Sequence, residues 1–145
     1  MTRPLRIYFS CSLTGGRQDQ PAYAAMVKHL QDCGHNVLTA HLAEAGVMAL
    51  DGAQDPVTVY ERDTAWLRDC EAVIAEVSTP SHGVGFEIAY ALDRDKPVLC
   101  FARADARVSK MITGNRAPGL QVATYASQEE AARLMETFLE AGTLA

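Results

Sequence analysis

The sequence predicts a doubly wound α/β domain built on a five-stranded parallel sheet, flavodoxin- or Rossmann-like, with strand order 2-1-3-4-5. Three observations predict it. Five short apolar or β-branched runs alternate with stretches of helical periodicity, which is the signature of repeated βα units. The middle run, residues 72–77, is apolar almost throughout, as a strand covered on both faces must be. Right-handed crossovers then leave few strand orders to choose from. At 145 residues and 48% hydrophobic, residues 1–145 suffice for one domain with its own core.

Residues 6–10 are a short aromatic and β-branched run that ends in a polar, glycine-bearing loop carrying Ser12, Gly15, Gly16 and Arg17. Asp19 is placed to cap a helix whose early Pro21 is pre-set for the first turn, and Gly34 stops that helix. Residues 35–39 form the second strand, followed by a weak helical stretch over 42–50. Residues 51–56 read as surface loop. Asp55 caps a helix running to about Asp69, on which Val59, Asp63 and Trp66 share one side, so that Asp63 is an acid on an apolar face. After the third strand, residues 78–86 form a loop of hydroxyls and glycines, and a helix is expected over 87–94. The fourth strand covers 97–101, a short helix 107–112, and the fifth strand 121–125. Ser127 and Glu130 form a capping box for a last helix ended by Gly142.

Composition excludes several functions. The formal charge of −5 lacks the basic footprint that a nucleic-acid polymer requires, although a few amides and hydroxyls can still hold one phosphate. No apolar run approaches membrane-spanning length, so no membrane partner is expected and the cytoplasm is the expected compartment. The four cysteines and four histidines show no C-x-x-C or H-E-x-x-H spacing, so neither disulfide nor metal site is expected. The first loop lacks both the dinucleotide and the triphosphate fingerprint, and no cofactor is called for.

Two carboxylates stand out. Glu87, read as the first residue of its helix, is expected to stay ionised beside the helix N-terminus, which suits a nucleophile. Asp63, desolvated by Trp66 and its neighbours, is expected to hold a proton and to donate it. Two such groups facing one pocket are the minimum needed to break a glycosidic bond.

Residues 8–17, 61–67 and 75–87 together resemble the nucleoside 2-deoxyribosyltransferase superfamily, within it most closely its hydrolases of nucleotides. The likeness extends from about Leu5 to Tyr125. It implies hydrolysis of a 2′-deoxynucleoside 5′-monophosphate to free base and 2-deoxyribose 5-phosphate through a glycosyl-glutamate. By position, Glu87 resembles the nucleophile, Asp63 the residue that positions the sugar or protonates the base, and Tyr8 the tyrosine beside the nucleophile. Ser12, Gly15, Gly16, Arg17, Ser81 and Gly83 match phosphate-binding positions, and His41 and Met111 lie at positions near the nucleotide. Ser109 resembles a serine that reaches the phosphate of the neighbouring subunit, so the resemblance also implies a homodimer. Cys11 and Thr14 depart from the pattern, standing where glycine and arginine occur, which bears on base preference and leaves Tyr8, Asp63 and Glu87 untouched. A transferase acting on unphosphorylated nucleosides, a CMP-type hydrolase and a binding module without turnover are the alternatives.

Overall fold

Along strand β1, Arg6–Ser10, successive side chains alternate between the two faces of the sheet, and this alternation divides the molecule. Ile7 and Phe9 join one buried cluster with Tyr23, Met26 and Leu30 of helix α1 (Gln20–Asp32) and Met135 and Leu139 of helix α5 (Gln128–Thr143). Tyr8 joins the other, with Leu67 of helix α2 (Pro56–Asp69) and Val84, Ile88 and Ala91 of helix α3 (His82–Asp93). The computed structural model describes residues 3–13, 19–43 and 54–143.

Strands β2 (Asn36–Val37), β3 (Ala72–Glu76), β4 (Val98–Arg103) and β5 (Leu120–Tyr125) complete the sheet. All pairings are parallel and the order is β2-β1-β3-β4-β5, as expected. Every residue of β3 is buried, which accounts for its apolar run. β1 and β3 are neighbours, and their carboxyl ends open where a doubly wound sheet places its ligand.

Several boundaries differ from the sequence expectation, each for a local reason. β2 is shorter than 35–39 because the Thr39 hydroxyl takes over the ladder. Its Oγ1 accepts from the Phe9 N–H at 3.0 Å and donates to the Phe9 carbonyl at 2.6 Å. A 3₁₀ turn, Ala40–Ala43, follows; most of the helix expected over 42–50 and the first half of the loop expected over 51–56 lie outside the described residues. Asp19 precedes α1 without a side-chain cap, since its carboxylate is engaged by Arg103 at 2.5 Å and by the Thr79 hydroxyl at 2.9 Å. Asp55 does cap α2, accepting from the Thr58 N–H at 2.9 Å. The fourth helix, α4, is only Lys110–Thr113, capped by Ser109. The Ser127 hydroxyl accepts from the Glu130 N–H, and the Glu130 carboxylate reaches back to the Ala126 N–H, as a capping box should. α5 runs on through Gly142 to Thr143 instead of ending there.

The largest correction concerns α3, which begins at His82 and not at Glu87. The Ser81 side chain accepts from the Val84 N–H at 3.3 Å, and the Gly85 N–H closes the first turn on the Ser81 carbonyl at 3.2 Å. Among the described glycines only Gly34 has a positive φ, so Gly83 and Gly85 are ordinary helical residues here.

Candidate active site

Because α3 starts five residues early, Glu87 lies in its second turn, beyond the amides that would favour an anion. The expectation of a carboxylate held ionised by the helix terminus therefore fails. What surrounds Glu87 is the buried end of β1. Tyr8 and Ser10, two residues apart on one strand and so on one face, both donate to it. The Tyr8 hydroxyl binds Oε2, and the Ser10 hydroxyl binds Oε1 at 2.8 Å. Burial pushes the Glu87 carboxyl up to about 7, the two hydroxyls oppose that rise, and the nearby Asp63 charge adds to it. Burial, with the charges of Glu87 and Asp63, raises the Tyr8 phenol as well, so Tyr8 stays neutral and keeps donating.

Asp63 differs from its expectation too. It is not an isolated acid among apolar groups, since Arg62 Nε lies 2.8 Å from its Oδ1 and the side chain is 18% exposed. Arg62 in turn binds Gln54 at 2.7 Å and stacks over Trp66, 5.1 Å from the ring centroid. His41 meets the same indole edge-on, with centroids 5.4 Å apart. Helix α2 thus presents Asp63 already paired with a cation. Asp63, Glu87 and Gly83 line one cavity of about 420 Å³, closed on its apolar side by Pro56, Val59, Tyr60 and Phe86.

On the adjacent face of α3 lies a second, larger cavity of about 1010 Å³. Ser81, Ser109 and Met111 line it, together with His82, Arg107 and Lys110. Ser81 and Ser109 are both N-caps, of α3 and α4, so each stands at a helix end with its free amides nearby. Ser109 therefore faces the cavity of its own chain. Met111 is 84% exposed. Gly83 and Gly85 have room where a Cβ would stand: the nearest atom to one is the Ser81 Oγ at 3.8 Å, and nothing lies within 4 Å of the other. Packing does not require these glycines, so their bareness serves the open side of the helix.

Of the remaining expected positions, Ser12 is fully buried, and Gly15, Gly16 and Arg17 lie outside the described residues.

Two groups escaped the sequence reading. Ser10 reads in sequence as plain strand, although its spacing from Tyr8 puts both hydroxyls on one side. Glu76, the last residue of β3, is 1% exposed and accepts from the Ser78 N–H and hydroxyl, each at 2.7 Å, and from the Tyr125 hydroxyl at 2.5 Å. Ser78 Oγ accepts in turn from the Arg103 N–H at 2.8 Å. This lattice fixes the exit of β3 and hence the position of the Ser81 cap. Cys33, Cys70 and Cys100 are free thiols, and no described helix is long and apolar enough to cross a membrane.

Comparison with known proteins gives a consistent picture. The family profile for nucleoside 2-deoxyribosyltransferase matches residues 7–135. The 5-hydroxymethyl-dUMP N-hydrolase of Mus musculus is 40% identical over 151 residues, covering 97% of this chain and 85% of that protein. Among solved structures, a CMP N-glycosidase from Clostridium botulinum is similar with a TM-score of 0.69 at 16% identity, covering 92% of this chain and 98% of that one. A 2-deoxyribosyltransferase from Bacillus psychrosaccharolyticus is similar with a TM-score of 0.63 at 17% identity, covering 88% and 90%. At such identities these two structures speak to the fold alone.

Proposed function

This chain belongs to the nucleoside 2-deoxyribosyltransferase family, and from that premise we propose that it hydrolyses the N-glycosidic bond of 2′-deoxynucleoside 5′-monophosphates. The products are the free nucleobase and 2-deoxyribose 5-phosphate. One observation carries the reading: a buried carboxylate, Glu87, is held at both oxygens by Tyr8 and Ser10 and shares its cavity with Asp63.

In the first step an oxygen of the ionised Glu87 attacks C1′ as the C1′–N bond breaks, and the bonding pair leaves with the base. The departing base takes its proton from solvent water, through Asp63, whose carboxylate is held by Arg62. In the second step water attacks C1′, Asp63 accepts its proton and returns it to solvent, and Glu87 leaves as carboxylate. A pKa of about 7 leaves Glu87 part-ionised near neutral pH, and the positive charge developing on the sugar favours the ionised form. Tyr8 and Ser10 fix the carboxylate so that the attacking oxygen need not reorganise. Tyr60, Phe86, Val59 and Pro56 offer apolar surface for the planar base. Ser81, Arg107 and Lys110, with the amides at the start of α3, suit the 5′-phosphate. The resemblance assigns Gly15, Gly16 and Arg17, which follow β1 in the chain, to the phosphate as well, with His41 and Met111 at its margins, whereas the fully buried Ser12 offers it no surface. The exposed Met111 beside Ser109 supports a homodimer in which this surface is covered by a second copy and Ser109 serves the neighbouring site.

The test is a scan of deoxynucleoside monophosphates, ribonucleoside monophosphates and free deoxynucleosides for base release, with and without a second base. Release confined to the deoxynucleoside monophosphates, without transfer to the added base, supports the proposal. Release from none of them refutes it.

A further inference from the structure

The far end of α1, away from the site at the start of α3, carries a second group of chemistry-bearing side chains. His29 and Cys33 are four residues apart, one helical turn, so both project from the same side of α1. Glu136 reaches them from α5. His29 Nε2 lies 3.7 Å from Cys33 Sγ and 3.7 Å from Glu136 Oε2, and Cys33 Sγ lies 4.0 Å from Glu136 Oε1. Counting one donor atom from each residue, all three fall within 4.8 Å of one another. Ligands held about 2.0–2.3 Å from a tetrahedral zinc ion stand roughly 3.4–3.7 Å apart, so the cluster is within a side-chain adjustment of that geometry.

We infer that His29, Cys33 and Glu136 form a surface site for a borderline-soft divalent cation such as zinc, with a fourth position left to water. An imidazole, a thiolate and a carboxylate are the donor types such an ion takes, and a thiolate and a carboxylate neutralise its two charges. On binding, the Cys33 thiol loses its proton to solvent as the sulfur–metal bond forms. The helices beneath are fixed independently of the ion, because Met26 and Leu30 of α1 pack in the same buried cluster as Met135 and Leu139 of α5. The donors are therefore brought together by the core, and the ion acts as a clamp between the first and last helices. Zinc-finger and metalloprotease spacings do not describe this pattern, in which one turn of helix supplies two ligands and a distant helix the third.

Cobalt(II) reads the site directly. Titrated into the reduced, metal-free protein, it should give a thiolate-to-cobalt charge-transfer band and the intense visible bands of a tetrahedral centre, at one equivalent, displaced by zinc. The other three cysteines are buried and cannot supply that thiolate. Cys33→Ser should abolish the charge-transfer band, and both Cys33→Ser and Glu136→Gln should weaken zinc binding at least ~10-fold, no less than loss of a ligand's own hydrogen-bond partner does. Cys33 and Glu136 are exposed, so these variants should fold, and base release should be unchanged in both. Absence of the thiolate band in the wild type, or equal zinc affinity in wild type and either variant, overturns the inference.

Discussion

Two glutamates in this molecule are held by the same kinds of groups and stand in different surroundings. Glu76 and Glu87 each accept from a tyrosine hydroxyl and a serine hydroxyl, Glu76 at the carboxyl end of β3 and Glu87 from α3. Glu76 is sealed at 1% exposure and its donors also include a backbone amide, so its oxygens are spent on the fold. Glu87 uses the same hydroxyl pair but opens onto the cavity that Asp63 shares. Their hydrogen bonds are alike; the open side and the neighbouring Asp63 charge are what set Glu87 apart.

If that contrast holds, the two glutamates should part company on mutation. Glu87→Ala should lower base release by ~10³-fold or more while the protein stays folded. Glu76→Gln should act on stability, costing about 1–3 kcal/mol, because an amide group would face donors that need an acceptor. Denaturant unfolding alongside the activity assay separates the two; a stable, inactive Glu76→Gln protein would erase the distinction.

Asp63→Asn should cost about 10²-fold in kcat/KM, the scale of a lost proton-transfer group, and should also remove a charge that raises Glu87. The ascending limb of the pH–rate profile should then move to lower pH. Tyr8→Phe should do the reverse, since its hydrogen bond lowers the Glu87 pKa, and should cost about tenfold in rate through lost positioning. Limbs that move together in both variants contradict the placement of Glu87 between these groups.

The same pKa has a consequence for stability. With the folded carboxyl at about 7 against an ordinary 4.5, the unfolded chain binds fewer protons between those values. The contribution of Glu87, ~3 kcal/mol, is therefore full below about pH 4.5 and is lost as pH rises through about 7. Glu87→Gln should flatten that part of the pH–stability curve, as urea unfolding at several pH values would reveal.

The smallest effect expected is at Gly83. A methyl there meets only the Ser81 hydroxyl at ordinary contact distance, so Gly83→Ala should stabilise α3 by about 0.5–1 kcal/mol while raising KM. Unchanged KM would mean that substrate does not approach this turn.

The sheet was legible because its information is local: apolar runs, turn residues and periodicity give five strands, and handedness gives their order. The residues 8, 63 and 87 could be picked out as well, but not their electrostatic states. The early start of α3 was hidden by two glycines that look like loop and are helix, held by a Ser81 cap that only three-dimensional geometry displays. The Arg62 partner of Asp63 is its neighbour in sequence, yet nothing in helical periodicity says that its guanidinium turns back onto that carboxylate. The shortened β2 follows from one threonine hydroxyl replacing backbone groups.

The most direct measurement is the mass of the protein after incubation with a 2′-deoxy-2′-fluoro nucleoside monophosphate, which slows release of a glycosyl-enzyme. The account predicts an added sugar phosphate on the peptide containing Glu87, absent from Glu87→Ala. Base release by the wild type with no adduct there, or with the sugar phosphate attached at another residue, would contradict it.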